Sequence, residues 1–155
     1  MSAPKLTRIL NVLADRAAVI TVANGYYADL GVTIHREQRL PQEAELPILV
    51  IALGERLAEN TQNKRVRCSQ SVTLTGFRSY DGTDAESIGI EILADIQRAI
   101  ELEDETLGGL LQGSVYGLAF QSDEIFMPDA GETVVGARVT YAVPHIRQSG
   151  DPEIL

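Results

Sequence analysis

The sequence predicts an α+β domain, two main helices packed on one face of a mixed or antiparallel sheet of about four to five strands. Three observations point there. Leu6, Ile9, Leu10, Leu13, Ala17 and Ile20 recur at helical spacing near the start of the chain. Ile88, Ile92, Leu93, Ile96, Ala99 and Ile100 do the same further on. Between them, Val66, Cys68, Val72 and Leu74 share one parity, with Gln70 the one polar member. Arg65, Arg67, Ser69, Ser71, Thr73 and Thr75 take the other, which is the period of a strand with one wet face.

The elements follow in order. The first stripe predicts a helix over residues 4–22, with Pro4 in the first turn, where a missing N–H costs nothing. Asn24-Gly25 gives the chain access to positive φ, so the helix can stop and reverse there. Tyr26 and Tyr27 are placed to cover the helix end with ring area while their hydroxyls stay wet. Asp29 and Gly31 mark a second turn before a short strand, 32–36. A polar loop at 39–46 is closed by Pro47. The apolar run from Ile48 to Leu53 suits a strand buried on both faces. Gly54 is expected to end it, leaving 55–64 as a polar connection.

The alternating strand spans 66–75, and Tyr80-Asp81-Gly82-Thr83-Asp84 makes the next turn, with Thr83 or Asp84 as helix cap. The second helix, 84–102, is roughly 28 Å long at ~1.5 Å per residue, enough to cross such a sheet. Two last strands are expected at 113–122 and 133–143, joined by an extended loop over 121–132. That loop carries Ile125, Phe126 and Met127, which are either tucked against the domain or offered to a partner. Pro144 should break the last strand. The domain is then 1–146, followed by a polar tail at 147–155.

Composition narrows the function. A chain of 155 residues with 45% apolar content fits one self-sufficient core. The net charge of −9 argues against a nucleic-acid ligand, because phosphate affinity comes from clustered Lys and Arg. Lys64-Arg65-Val66-Arg67 is the one local basic cluster, and it puts Arg65 and Arg67 on one strand face. They form a charged edge that discourages aggregation or an interface for an acidic partner. At the other helix end, Glu101, Glu103, Asp104 and Glu105 crowd a C-terminus whose dipole disfavours negative charge. That cluster is a functional surface or a solvated exit. A single cysteine excludes an internal disulfide and fits a reducing, cytosolic compartment. No apolar run approaches the ~20 residues of a membrane span, and residues 1–16 do not read as a secretory signal.

Chemistry is thin. His35 and His145 have no ligand-spaced partner, and no G-x-S-x-G, Walker or G-x-G-x-x-G motif occurs. Cys68 lies on the apolar parity of its strand, the setting of an inert thiol. No catalytic, cofactor-binding or metal-ligating residue is nominated, so the chain is not read as an enzyme.

The order of these features resembles the tail terminator (minor tail protein U-like) proteins of long-tailed bacteriophages. The resemblance rests on the turn Asn24-Gly25-Tyr26-Tyr27-Ala28-Asp29-Leu30-Gly31 after an N-terminal helix and on the Leu46-Pro47 step into the apolar strand. It continues through the long alternating strand before helix 84–102, the segment Thr106-Leu107-Gly108-Gly109-Leu110, and Val139-Thr140-Tyr141-Ala142-Val143. It covers residues 6–143, and its motifs are short. It implies a virion protein, assembled in the host cytoplasm, that forms a homomeric ring, commonly a hexamer. Such a ring caps the head-proximal end of the tail tube, ends its polymerisation and meets a head-side connector or neck protein. The implied partners are therefore other copies of the chain, the tail tube protein and the connector, with no membrane and no specific nucleic-acid binding although DNA passes through the ring. Family interface positions are not fixed by a motif. The interface candidates of this chain are its own: Arg65 and Arg67, the acidic cluster at 101–105, and Ile125, Phe126 and Met127. Another neck or tail-completion protein is the alternative, and a small bacterial enzyme or ligand-binding domain the second.

Overall fold

The computed structural model describes residues 3–36, 42–62, 64–102, 107, 110–111 and 117–148. Along the chain run α1 (Lys5–Ala17), β1 (Ile34–His35), β2 (Ile48–Gln62), β3 (Arg65–Ser79), α2 (Ala85–Glu101), β4 (Ala119–Phe126) and β5 (Val134–Gln148). The strands form one mixed sheet in the order β1-β2-β3-β5-β4. Only β1 and β2 are parallel; the other three pairs are antiparallel. The fold is α+β, with the two helices packed on one sheet face.

The core forms where the periodic stripes meet. Ile9 and Leu13 of α1 and Ile92, Ile96 and Ile100 of α2 are fully buried against Leu49, Val72, Leu74, Val139 and Tyr141 of the sheet. The parity of β3 is as the alternation requires: Val66, Cys68 and Gln70 are buried beside Val72 and Leu74, and the Ser/Thr/Arg parity faces away from the helices. Gln70 tolerates burial because its amide donates to the carbonyls of Gly54 (2.9 Å) and Ser71 (2.8 Å).

α1 is shorter than the spacing predicts, ending at Ala17, although Ile20 remains fully buried. The 24–31 segment competes for the groups that a longer helix would use. Asp29 accepts from the Val22 N–H at 2.8 Å, and the Gly31 N–H donates to the Ile20 carbonyl at 2.8 Å. Thr21 caps a 3-10 turn, Val22–Asn24, and Gly25 closes it at φ 87, so the Asn-Gly reversal comes after this turn rather than after α1. The same segment is clamped to α2. Asp95, only 2% exposed, accepts from the N–H groups of Tyr27 (3.0 Å) and Ala28 (3.1 Å), while Arg98 lies over the Tyr26 ring at 4.7 Å. Arg16 reaches across to the Ile100 carbonyl at 3.1 Å, a cation at the negative end of α2.

Several boundaries differ from expectation. The 32–36 strand is reduced to Ile34–His35. Within the expected 39–46 loop, Glu43–Glu45 forms a 3-10 turn; 39–41 lies outside the described residues. Gly54 does not end β2. A bulge between Leu53 and Arg56 absorbs it, and β2 runs on to Gln62, so 55–64 is the arm of a hairpin with β3 rather than a connection. Burial on both faces holds from Ile48 to Ile51 and fails at Leu53, which is 45% exposed. At α2, Asp84 stands in the cap position at φ 60 without a side-chain cap bond, and neither it nor Thr83 caps the helix through its side chain.

The largest revision concerns 121–132. Its first half is not a loop: β4 extends to Phe126, and residues 113–116 of the expected strand lie outside the described residues. Ile125 packs beneath α2, where a Cβ on Gly89 would stand 2.5 Å from its Cγ2. Phe126 lies on the opposite face with the Arg138 guanidinium 5.1 Å from its ring centroid. Met127 alone keeps the expected turn position, 56% exposed. Pro144 does not break β5, which continues to Gln148. Among the described residues the β4 ladder ends at the Ala119–Ala142 pair, so Pro144 lies beyond it, where β5 meets no described strand on that side and a missing N–H is tolerated. The tail therefore starts later than 147, and 149–155 is outside the described residues.

Candidate functional site

Among the described residues the sheet has two open edges. β1 pairs with only Leu49 and Val50 of β2, so from Ile51 to Gln62 the outer side of β2 meets no strand. β4 pairs with β5 alone, and apart from Ile125 its residues are exposed. Open edges normally carry lysine, proline or a covering element against unwanted pairing. Beside the charges of Glu55, Arg56, Asp123 and Glu124, these carry large apolar side chains: Leu53 (45% exposed) and Leu57 (56%) on β2, with Phe120 (47%), Phe126 and Met127 on or beside β4. Each edge also has a bulge, between Leu53 and Arg56 on β2 and between Phe120 and Ser122 on β4.

A cleft flanks the β2 edge. Pro4, Leu6 and Leu10 of the α1 end face Leu53 and Arg56 across a cavity of about 240 Å³, with Lys5 and His145 in its wall. Lys5 is 5% exposed and donates to the Ile146 carbonyl at 3.1 Å. Burial, then Arg8, lowers its pKa from the ordinary 10.5. The sheet face opposite the helices is smooth. Ser71, Thr73, Thr140 and Ala142 are half-exposed there, and within β3, β4 and β5 its one carboxylate, Glu124, stands 3.6 Å from Arg138.

The sequence-derived candidates are scattered. Arg65 is exposed and Arg67 half-buried, on the bare face near the tip of the β2–β3 hairpin. Glu101 ends α2 on the helix side, facing Tyr141; Glu103, Asp104 and Glu105 lie outside the described residues. Val72 pairs with Tyr141, and Arg65 lies further along β3 by roughly 24 Å at ~3.4 Å per residue. Within one chain Arg65 and Arg67 do not meet Glu101, the one acidic candidate among the described residues. Leu53, Leu57 and Phe120 were missed because their exposure follows from strand order, which local periodicity does not encode. The available signal was weak: isolated large apolar residues in stretches polar on both faces.

The nearest approach to a catalytic pair is Cys68 opposite His145 in the β3–β5 register, both 2% exposed. The thiol points to its own strand's Val66 carbonyl at 3.9 Å, and His145 Nδ1 lies 3.2 Å from the Val143 carbonyl. Each has a neighbouring backbone carbonyl as a partner. Tyr141 is buried; desolvation, then the Glu101 carboxylate, pushes its pKa above the ordinary 10.0, so it holds its proton. No cluster of three or more His, Cys, Asp or Glu suited to a metal ion occurs among the described residues, and no helix there is long and apolar enough to cross a membrane. No protein-family model and no curated protein matches the chain.

Proposed function

We propose that the chain is a tail terminator of a long-tailed bacteriophage, a structural ring protein of the virion neck that caps the head-proximal end of the tail tube. The observation that carries this reading is the pair of unlike open edges on one sheet. A subunit whose two complementary surfaces differ associates head to tail, and a head-to-tail contact closes into a ring when the rotation allows. The sequence resemblance supplies the rest: the hexameric number, the tube protein on one side and the connector on the other. The two ends of the sheet also differ, which suits a ring with two different axial partners. One end projects the β2–β3 hairpin with Arg65 and Arg67; the other carries the turn with Met127 and the 80–84 turn. Six copies, each at −9, give the ring a net field that repels phosphate, so DNA passes without sticking.

Electron microscopy of the purified protein, followed by mixing with isolated tail tubes and with tail-less heads, tests this. Closed rings that bind tube ends are expected. Rings that bind heads and not tubes would make it a neck protein on the head side, and a monomer at all concentrations would remove the ring reading altogether.

A further inference from the structure

The two edges are linked by a single row of residues. Leu53 of β2 pairs with Val72, Val72 with Tyr141, and Tyr141 with Phe120 of β4. All four side chains project on the helix side. Val72 and Tyr141 in the middle are fully buried, while the row ends at each edge in a half-exposed apolar side chain, Leu53 at 45% and Phe120 at 47%. An apolar row that stops in water at both ends is complete when the end of one copy meets the start of the next.

Strand direction permits that meeting. β2, β3, β5 and β4 alternate in direction across the sheet. A second copy set beside the first in the same orientation places the part of its β2 that β1 leaves open, from Ile51 on, antiparallel to β4, the pairing that extends a sheet. In a cyclic ring every copy sits at the same height, so with strands running near the ring axis the Leu53 end and the Phe120 end of the row come level. Beside Leu53 lies the cleft under α1, and its cavity of about 240 Å³ is larger than the ~150 Å³ site known to hold a benzene ring. Its lining suits an aromatic guest: Leu6, Leu10 and Leu53 offer apolar contact, and the Arg56 guanidinium can stack on a ring face.

We infer that Phe120 of one copy seats in the cleft between Leu53, Arg56 and the first turns of α1 on the next copy, continuing the Leu53–Val72–Tyr141–Phe120 row around the ring. This rests on the ring reading and names its subunit contact. The occupant is a second copy because the row and the strand alternation are both continued by this chain itself. The contact is exposed in the isolated subunit, so its residues can be changed without opening the core.

The test measures the assembled fraction of the full chain against concentration by light scattering, with thermal unfolding recorded in parallel. Phe120→Ser and Leu53→Ser should each raise the concentration for half-assembly at least tenfold with the unfolding transition kept. The double variant should be little worse than either, as expected of two partners in one contact. Phe120→Leu should retain most assembly. Leu57→Ser, on the same edge strand but outside the cleft, should leave assembly at the parent level. A parent ring that persists unchanged in Phe120→Ser, or single effects that simply add, would overturn the cleft contact and leave the ring standing. A parent that never assembles would overturn both.

Discussion

The long strands have two halves with different fates. From Val72 to Gly76 in β3 and Val135 to Tyr141 in β5, the sheet lies under the helices, and its inward residues are excluded from water. Beyond Gly54 in β2, toward the hairpin tip, the start of α1 is the one helical segment near it among the described residues, and Glu55, Arg56, Leu57 and Ala58 are exposed. The ladder is the same in both halves, yet beyond Gly54 β2 is exposed while its partner β3 keeps one buried parity at Val66, Cys68 and Gln70. Backbone pairing alone therefore extends a sheet but does not give it a core. Most of the core lies under the two helices, and the second half of β2 and the edge strand β4 are exposed.

The sharpest way to break this contrast is a charge under α2. Ile96 is fully buried, so Ile96→Asp should cost several kcal/mol and leave the chain unfolded at room temperature, read by circular dichroism. Leu93 is only partly buried, and Leu93→Asp should cost clearly less. A folded, soluble Ile96→Asp protein would mean that α2 does not cover the sheet.

The contrast also explains what was legible in the sequence. Where one face is buried and the other wet, the residues must alternate, and β3 and β5 could be read from Val66 to Leu74 and from Val135 to Val143. Where neither face is covered, nothing selects apolar residues on either parity. The second half of β2 therefore looked like a polar connection, and β4, exposed except at Ile125, looked partly like a loop. The end of α1 was hidden for another reason: the groups that stop it, Asp29 and Gly31, act across a turn rather than within the helix pattern. The candidate site was least legible, since an open edge is a property of strand order. Arg65 and Arg67 were correctly placed on one wet face, but Leu53 and Phe120 became a pair only through the register.

A smaller effect is expected at the clamp between the 24–31 segment and α2. Asp95→Ala removes the acceptor for two N–H groups and should cost about 2 kcal/mol, because buried donors are left unmade. The pH dependence has a definite sign. Burial, outweighing the two N–H donors, raises the Asp95 pKa above its ordinary 3.8. The folded state then holds the proton more tightly than the unfolded chain does. This contribution to stability is full below the ordinary value and is lost as pH rises through the raised folded value. Denaturant titrations across that window should show Asp95→Asn lacking this loss. A parent and an Asn variant with parallel pH profiles would show that burial does not perturb the carboxyl.

The smallest expected effect bears on the strand that was hardest to read. Gly89 lies in α2, where alanine is favoured over glycine by about 1 kcal/mol on helix propensity alone. A Cβ there would stand 2.5 Å from Ile125 Cγ2, and overpacking of this kind costs typically ~1–3 kcal/mol. The clash should win, so Gly89→Ala should lower stability by about 1 kcal/mol, seen as a fall in the unfolding midpoint. Once Ile125→Ala has removed the obstructing side chain, the balance should reverse: Gly89→Ala added to that background should stabilise. The reversal depends on β4 passing directly beneath α2. If Gly89→Ala stabilises the parent chain as propensity alone dictates, then Ile125 does not pack there and residues 121–126 form an extended loop rather than the sheet's edge strand.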